Sequence, residues 1–296
     1  MSKAAVPVTG ATTIIAGATG KLGQLIVRRL AALKQPVRIL TRRPDAARRL
    51  FGESVQIAVG DFGDRTSLDT AVRDGARLLL LSPISARLVT DQISAVDAAV
   101  AAGVRRIVKI SGSDWTIDPP GHSISGDAHA AVERHLNSLA LDTVSLRPNA
   151  WMQVSLANTV RQAIATDKVA AANPDAGVGY IDARDIADVA VDQLLADTVT
   201  GRTLNLTGPD IVSARQLADL LSTTLKRRFA VVEKPPLAAS GDADFEHRAI
   251  AQFARLIAAG RAATTTDVVK SLLGRPPRSV AAFISEHAAA EAALTE

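Results

Sequence analysis

The feature that most constrains this chain is Gly17-Ala-Thr-Gly20-Lys-Leu-Gly23, set between a short β-branched run at 13–16 and an amphipathic pattern that begins at Lys21. Glycines spaced G-x-x-G-x-x-G across a strand-to-helix turn let the backbone turn tightly and approach a pyrophosphate. They also let the helix pack closely on the strand, with its first N–H groups facing the phosphates. A glycine-rich turn without a ligand is the alternative for the motif taken alone, and the strand and helix around it argue against that. The nearby Thr9-Gly10-Ala11-Thr12 imitates the start of the motif but lacks a good preceding strand and the later glycines. Candidate dinucleotide contacts are therefore Gly17, Thr19, Gly20, Lys21, Leu22 and Gly23.

From Thr12 to Pro148 short β-branched or Leu-rich runs alternate with helical periodicity. Strands are predicted at 13–16, 37–41, 55–59, 77–82, 105–110 and 143–147, and helices at 21–34, 44–50, 65–73, 89–102 and 126–138. This cadence predicts an α/β fold, a doubly wound parallel Rossmann sheet with a ligand crevice at the strands' carboxyl ends. Only 3% of residues are aromatic against 47% hydrophobic, so Ala, Val, Leu and Ile must fill the interior, as in a covered parallel sheet. After Pro148 the rhythm changes: helices at 151–165, 185–195, 214–225, 245–259 and 280–293, a Gly-rich turn at 173–179 and a strand at 203–207. The expected organisation is a flexible leader at 1–12, a nucleotide-binding Rossmann core at 13–149, and at 150–296 mainly a smaller C-terminal α/β lobe covering the substrate, with some segments returning to the core.

Composition excludes several classes. Without cysteine there is no disulfide, no thiolate metal site and no cysteine nucleophile, which fits a cytoplasmic protein. The apolar stretch at 78–102 is interrupted by Ser82, Pro83, Arg87 and Asp91, so no membrane span is expected. The net charge of +4 comes from scattered arginines and not from a basic run, so no direct nucleic-acid contact is expected. His122, His135, His247 and His287 have no ligand spacing, and no metal is expected.

About 20 residues past the glycines, where an NAD site carries an acid for the ribose 2′-hydroxyl, the chain reads Leu40-Thr41-Arg42-Arg43-Pro44. A guanidinium there suits a 2′-phosphate, so Arg42, with Arg43 in reserve, predicts NADP(H) as cofactor. The alternative for both is a solvated charge beside the next helix. In Gly60-Asp61-Phe62-Gly63-Asp64, Asp61 is placed to accept from the adenine amino group, with Phe62 beside the ring. Helix capping is the competing role, with Asp64 the stronger candidate for it. Ser82 and Pro83 end the fourth strand, as ribose contacts or as a simple turn. Ser111 and Ser113 follow the fifth, as nicotinamide or substrate contacts or as loop caps.

Together with Ala-Gly-Val-Arg-Arg-Ile-Val-Lys-Ile-Ser at 102–111, Leu-Arg-Pro-Asn at 146–149, Tyr-Ile-Asp-Ala-Arg-Asp-Ile-Ala at 180–187, Leu-Thr-Gly-Pro at 206–209 and Gly-Arg-Pro-Pro-Arg at 274–278, these segments resemble the NmrA-like branch of the atypical short-chain dehydrogenases/reductases. The resemblance implies an NADP-binding Rossmann fold with a small C-terminal substrate lobe. It also implies a choice between NADPH-dependent quinone or dye reductases and proteins that only sense the cofactor's redox state.

Standard short-chain dehydrogenases carry a Tyr with a Lys four residues later. Here the single tyrosine is Tyr180, and Arg184 stands four residues on. The family register, anchored on Glu133, puts His129 in the lysine's place and Ser125 in the tyrosine's. His129 is the candidate catalytic residue, as a substrate-steering or protonating group, with a helix-surface or ribose contact as the alternative. Trp115, Trp151 and Met152 are candidate substrate contacts, with lobe packing the alternative for the tryptophans. The expected function is reduction by NADP(H) of a planar, electron-poor or conjugated carbonyl or quinone-type molecule, by direct hydride transfer and without a Tyr-Lys pair. The alternative is an NADP(H) redox sensor or regulator acting through a protein partner. A homodimer is compatible with either.

Overall fold

The computed structural model describes residues 11–240 and 243–293. Most of the expected leader, 1–10, and the Gly10 end of the decoy motif thus lie outside the described residues. In chain order the elements are β1 (Thr13–Ala16), α1 (Lys21–Ala32), β2 (Val37–Thr41), α2 (Pro44–Phe51), β3 (Gln56–Val59), α3 (Arg65–Ala71), β4 (Arg77–Leu80), α4 (Leu88–Ala101), β5 (Arg106–Ile110), α5 (Asp114–Ile117), α6 (Ile124–Asn137) and β6 (Asp142–Pro148). A π-helical turn at Met152–Leu156 leads into α7 (Ala157–Thr166). There follow β7 (Lys168–Ala171), α8 (Ala183–Leu195), β8 (Thr203–Leu206), α9 (Ala214–Leu225), β9 (Ala230–Glu233), α10 (Phe245–Ala258), α11 (Val268–Leu273) and α12 (Val280–Ala293).

The main sheet has seven strands in the order β3-β2-β1-β4-β5-β6-β8, and the neighbouring pairs from β3 to β6 are parallel. The order reverses between β1 and β4, which is the switch point where doubly wound sheets open a ligand crevice at their carboxyl ends. Every residue of β1, β4 and β5 is buried. Strands covered on both faces carry runs of apolar side chains without the polar alternation of a half-exposed sheet, and Lys109 within β5 is an exception. On one face Ile14, Leu78, Leu80 and Ile107 pack with Leu68, Val96, Val132 and Leu136 from the helices.

The chain divides into two compact units. The first comprises the residues up to Gly112, Asp127–Arg147 and Ile186–Leu204; the second comprises Ser113–Gly126, Pro148–Asp185 and the residues from Asn205 on. The second unit has its own core, in which Met152, Leu156, Val160, Leu221, Phe283 and Ile284 are almost fully buried. Its β7 and β9 form a two-stranded parallel sheet that periodicity did not predict. Both strands are four residues long, and Lys168-Val-Ala-Ala has little intrinsic strand preference, so their pairing with each other makes them strands. The helix expected from 151 starts instead with the π turn, leaving Trp151 outside it. No described helix is long and apolar enough to cross a membrane.

Candidate functional site

The glycine turn shows which glycines the fold itself requires. Gly17 has φ +73°, and a Cβ on it would stand 2.6 Å from the Leu81 carbonyl oxygen, so only glycine fits. A Cβ on Gly23 would lie 2.2 Å from the Gly17 carbonyl oxygen, because α1 lies directly against the turn. Gly20 differs: its nearest neighbour to a Cβ is at 3.4 Å, an ordinary contact, and the residue is exposed. The protein therefore has room for a side chain at Gly20, and close approach of a ligand to the backbone is what a bare position there serves. Gly20 caps α1 in extended conformation with no side-chain hydrogen bond, and the first turn of α1 carries no acid. Its N–H groups form a cationic pole with no capping side chain, which fits a pyrophosphate.

The two arginines after β2 diverge. Arg42 pairs with Asp61 at 3.7 Å, both well exposed, whereas the Arg43 guanidinium reaches within 3.5 Å of the Thr19 hydroxyl in the glycine turn. A surface pair such as Arg42–Asp61 contributes at most about 1 kcal/mol and exchanges easily for a phosphate. Asp61 also accepts from the Gly63 N–H at 2.8 Å, Phe62 packs against the core beneath, and Asp64 caps α3 by accepting from the N–H groups of Thr66 and Ser67. These residues form one surface around the open end of β1, β2 and β3. Ser82 accepts from the buried Gln92 amide at 2.8 Å, as a strand-ending turn residue would.

A second cluster lies inside the same unit, where β5 meets α6. Ile107, Lys109 and Ser111 alternate onto one face of the strand, and His129, Val132, Glu133 and Leu136 recur at helical spacing on α6. Ile107 packs with Val132 and Leu136. Beside them Lys109 Nζ lies 2.9 Å from His129 Nδ1 and donates to the Ile110 carbonyl at 3.2 Å, with both side chains buried. Ser111 donates to Glu133 Oε1 at 2.6 Å; Arg147 from β6 donates through Nε to the same oxygen at 3.1 Å and through Nη2 to Oε2. Burial lowers the Lys109 ammonium to about 7, against the opposing pull of Glu133. Burial first, and then the Lys109 charge, hold His129 well below the usual histidine range. An ammonium has only protons to give, so Nδ1 is the acceptor and the neutral ring carries its proton on Nε2. Lys109, Glu133 and Arg147 were not among the sequence candidates. A lysine inside the apolar run Arg-Ile-Val-Lys-Ile was the signal that could have found this cluster.

In the second unit, Trp115 donates from its indole to Asn149 at 2.7 Å and packs on Phe253, with ring centroids 4.7 Å apart. Met152 is fully buried in the core, so as candidate substrate contacts both are spent on packing; Trp151 is half-buried and bridges Ile181. Ser113 donates to the Pro148 carbonyl at 2.8 Å. Tyr180 is packed among Trp115, Ala150 and Val178, and burial pushes its phenol up to about 12. The buried carboxylates of Asp182 and Asp185 hold Arg184 and the pair Arg275 and Arg278, all within this unit.

The chain belongs to the NmrA-like family, whose model matches residues 9–253. It is 31% identical to a (4-alkanoyl-5-oxo-2,5-dihydrofuran-3-yl)methyl phosphate reductase of Streptomyces griseus subsp. griseus, over 94% of this chain and 98% of the relative. It is 27% identical to an NAD(P)H azoreductase of Xenophilus azovorans, again over 94% of this chain and 98% of that protein. Its fold matches that of the NADPH-dependent quinone oxidoreductase of Escherichia coli complexed with NADPH, with a TM-score of 0.80 and 21% identity over 93% of this chain and 99% of the other.

Proposed function

We propose that this protein is an NADP(H)-dependent reductase that delivers hydride directly to a planar, electron-poor or conjugated carbonyl or quinone-type small molecule. The observation that carries the reading is the cradle at Gly20, open to a ligand where the fold itself does not need a glycine. The two reductases above, similar to this chain over nearly its whole length, support it. Bound at this turn, the cofactor would supply the hydride. The chain's part is to hold the pyrophosphate on Gly17, Thr19, Gly20, Lys21, Leu22 and Gly23, the 2′-phosphate on Arg42 or Arg43, and the adenine beside Asp61 and Phe62.

A Tyr-Lys acid/base pair is not part of this reading. Tyr180 is half-buried against the core of the second unit, and burial pushes its phenol up to about 12, away from neutral titration. An electron-poor acceptor needs mainly alignment with the hydride donor in a dry site, and less side-chain acid/base chemistry than an alcohol does. Purified protein mixed with NADPH and a panel of quinones, azo dyes and conjugated lactones should show acceptor-dependent loss of NADPH absorbance. Tight cofactor binding with no turnover on any of them would replace this reading with that of a sensor.

A further inference from the structure

We propose that Lys109 and His129 form a two-step proton relay which supplies the proton that the reduced acceptor must gain. This rests on the reductase reading above. Its physical basis is a ring more than nine-tenths buried, with Nδ1 held 2.9 Å from the Lys109 ammonium and Nε2 left without a hydrogen-bond partner among the described residues. Nε2 keeps the ring's residual solvent access, so a bound oxygen can reach it and accept from Nε2–H.

The step balances. Hydride brings two electrons to the acceptor's carbonyl carbon, and the carbonyl oxygen is left as an oxyanion. That oxygen takes the proton from Nε2 of His129; the O–H bond forms as the Nε2–H bond breaks. Nδ1 then takes a proton from Nζ of Lys109, leaving a neutral amine and the opposite histidine tautomer. Two opposite charges, on Lys109 and on the oxyanion, disappear together, which a low-dielectric interior favours. A proton from water on Nε2 and return of the Nδ1 proton to Lys109 restore the pair after product leaves.

The surroundings suit a lysine that gives up its proton near neutrality. Burial opposes its charge, and Glu133 from α6 supports it. Arg147 from β6 in turn engages both Glu133 oxygens. Leu80 of β4 and Ser145 of β6 flank Lys109 in register, and neither titrates.

Two readouts test this, the first with no cofactor present. In ¹⁵N–¹H correlation spectra at pH 6, His129 should be a neutral ring protonated on Nε2; an imidazolium or an Nδ1–H ring overturns the relay. In the second, NADPH oxidation with a soluble benzoquinone should show a turnover number that falls as pH rises through about 7. Lys109→Met and His129→Ala should each lower turnover by roughly 10²-fold, and the double variant no further. Lys109→Gln keeps an N–H donor for Nδ1 but no transferable proton, so it should keep the Nε2–H tautomer and still lose the rate. Wild-type turnover or an unchanged pH profile in either Lys109 variant, or additive losses in the double variant, overturns the relay and leaves the reductase reading standing. Absence of NADPH oxidation with every acceptor overturns both.

Discussion

Gly23 lies so close to Gly17 that a Cβ on it would stand 2.2 Å from the Gly17 carbonyl oxygen, while a Cβ on Gly20 meets nothing nearer than 3.4 Å. The two glycines therefore separate fold from ligand. Gly23→Ala should destabilise the first unit by about 1–3 kcal/mol, the usual cost of forcing atoms into a packed site. Gly20→Ala should leave the melting temperature nearly unchanged and weaken NADPH binding. Thermal melts with and without cofactor, alongside a nicotinamide-fluorescence titration, distinguish them. Equal melting temperatures for the two variants would mean that the turn relaxes around Gly23.

Arg42 and Arg43 lie next to each other in sequence and reach different places, Arg42 to Asp61 and Arg43 to Thr19. Loss of a charge-assisted contact to the 2′-phosphate costs about 1.5–3 kcal/mol, or about ten- to a hundredfold in affinity. Arg42→Ala should weaken NADPH by that much and leave NADH nearly unaffected. If NADPH affinity is unchanged in Arg42→Ala and falls in Arg43→Ala, the 2′-phosphate belongs to the arginine beside the glycine turn. Equal losses for both cofactors would make Arg42 a structural residue. Asp61→Asn keeps the acceptor for Gly63 and removes the charge that competes for Arg42, so it should tighten NADPH a few-fold.

Glu133 is the shared acceptor of Ser111 and Arg147, and its side chain is almost wholly buried. Removing one side of a buried ion pair costs about 3–5 kcal/mol. Glu133→Ala should fall in that range in urea denaturation. Glu133→Gln, which retains one carbonyl acceptor, should cost less. A loss under about 1 kcal/mol for Glu133→Ala would mean that water replaces the carboxylate.

Most of the first unit was legible because its local signals agree with one another. β1 and β2 fall at the bounds that periodicity gives, and the glycine turn and the Asp64 cap carry their own side-chain logic. β7 and β9 were not legible, since each is only four residues long, β7 has little strand preference of its own, and the two are paired with each other. Thr203–Leu206 reads as a strand but its sequence does not name its neighbour; it closes the main sheet beside β6. At the site, His129 was reached through family register. Lys109 was hidden because a lysine inside an apolar strand reads as an interruption of the pattern until a partner on another element is known. Trp115 and Met152 drew attention as large side chains following strands, and packing explains them.

The titration of Lys109 gives a stability prediction of definite sign. Its folded value lies near 7 and its unfolded value at the ordinary 10.5, so between these the unfolded chain binds more protons than the folded one. Stability then rises with pH, fully present above the unfolded value and lost as pH falls to the folded one. His129, also held below its ordinary 6.5, acts in the same direction in the acid range. Tyr180 acts oppositely: its phenol is raised from 10.0 to about 12, so its contribution is present below pH 10 and is lost as pH climbs toward 12. Urea unfolding of the wild type at pH 7, 8 and 9 should therefore show increasing stability, with a reversal above about 10. Lys109→Met should flatten the rise between pH 7 and 9 while keeping the alkaline fall, because Tyr180 is untouched. Parallel curves for the two proteins would place the proton uptake elsewhere and leave the Lys109 ammonium with an ordinary titration.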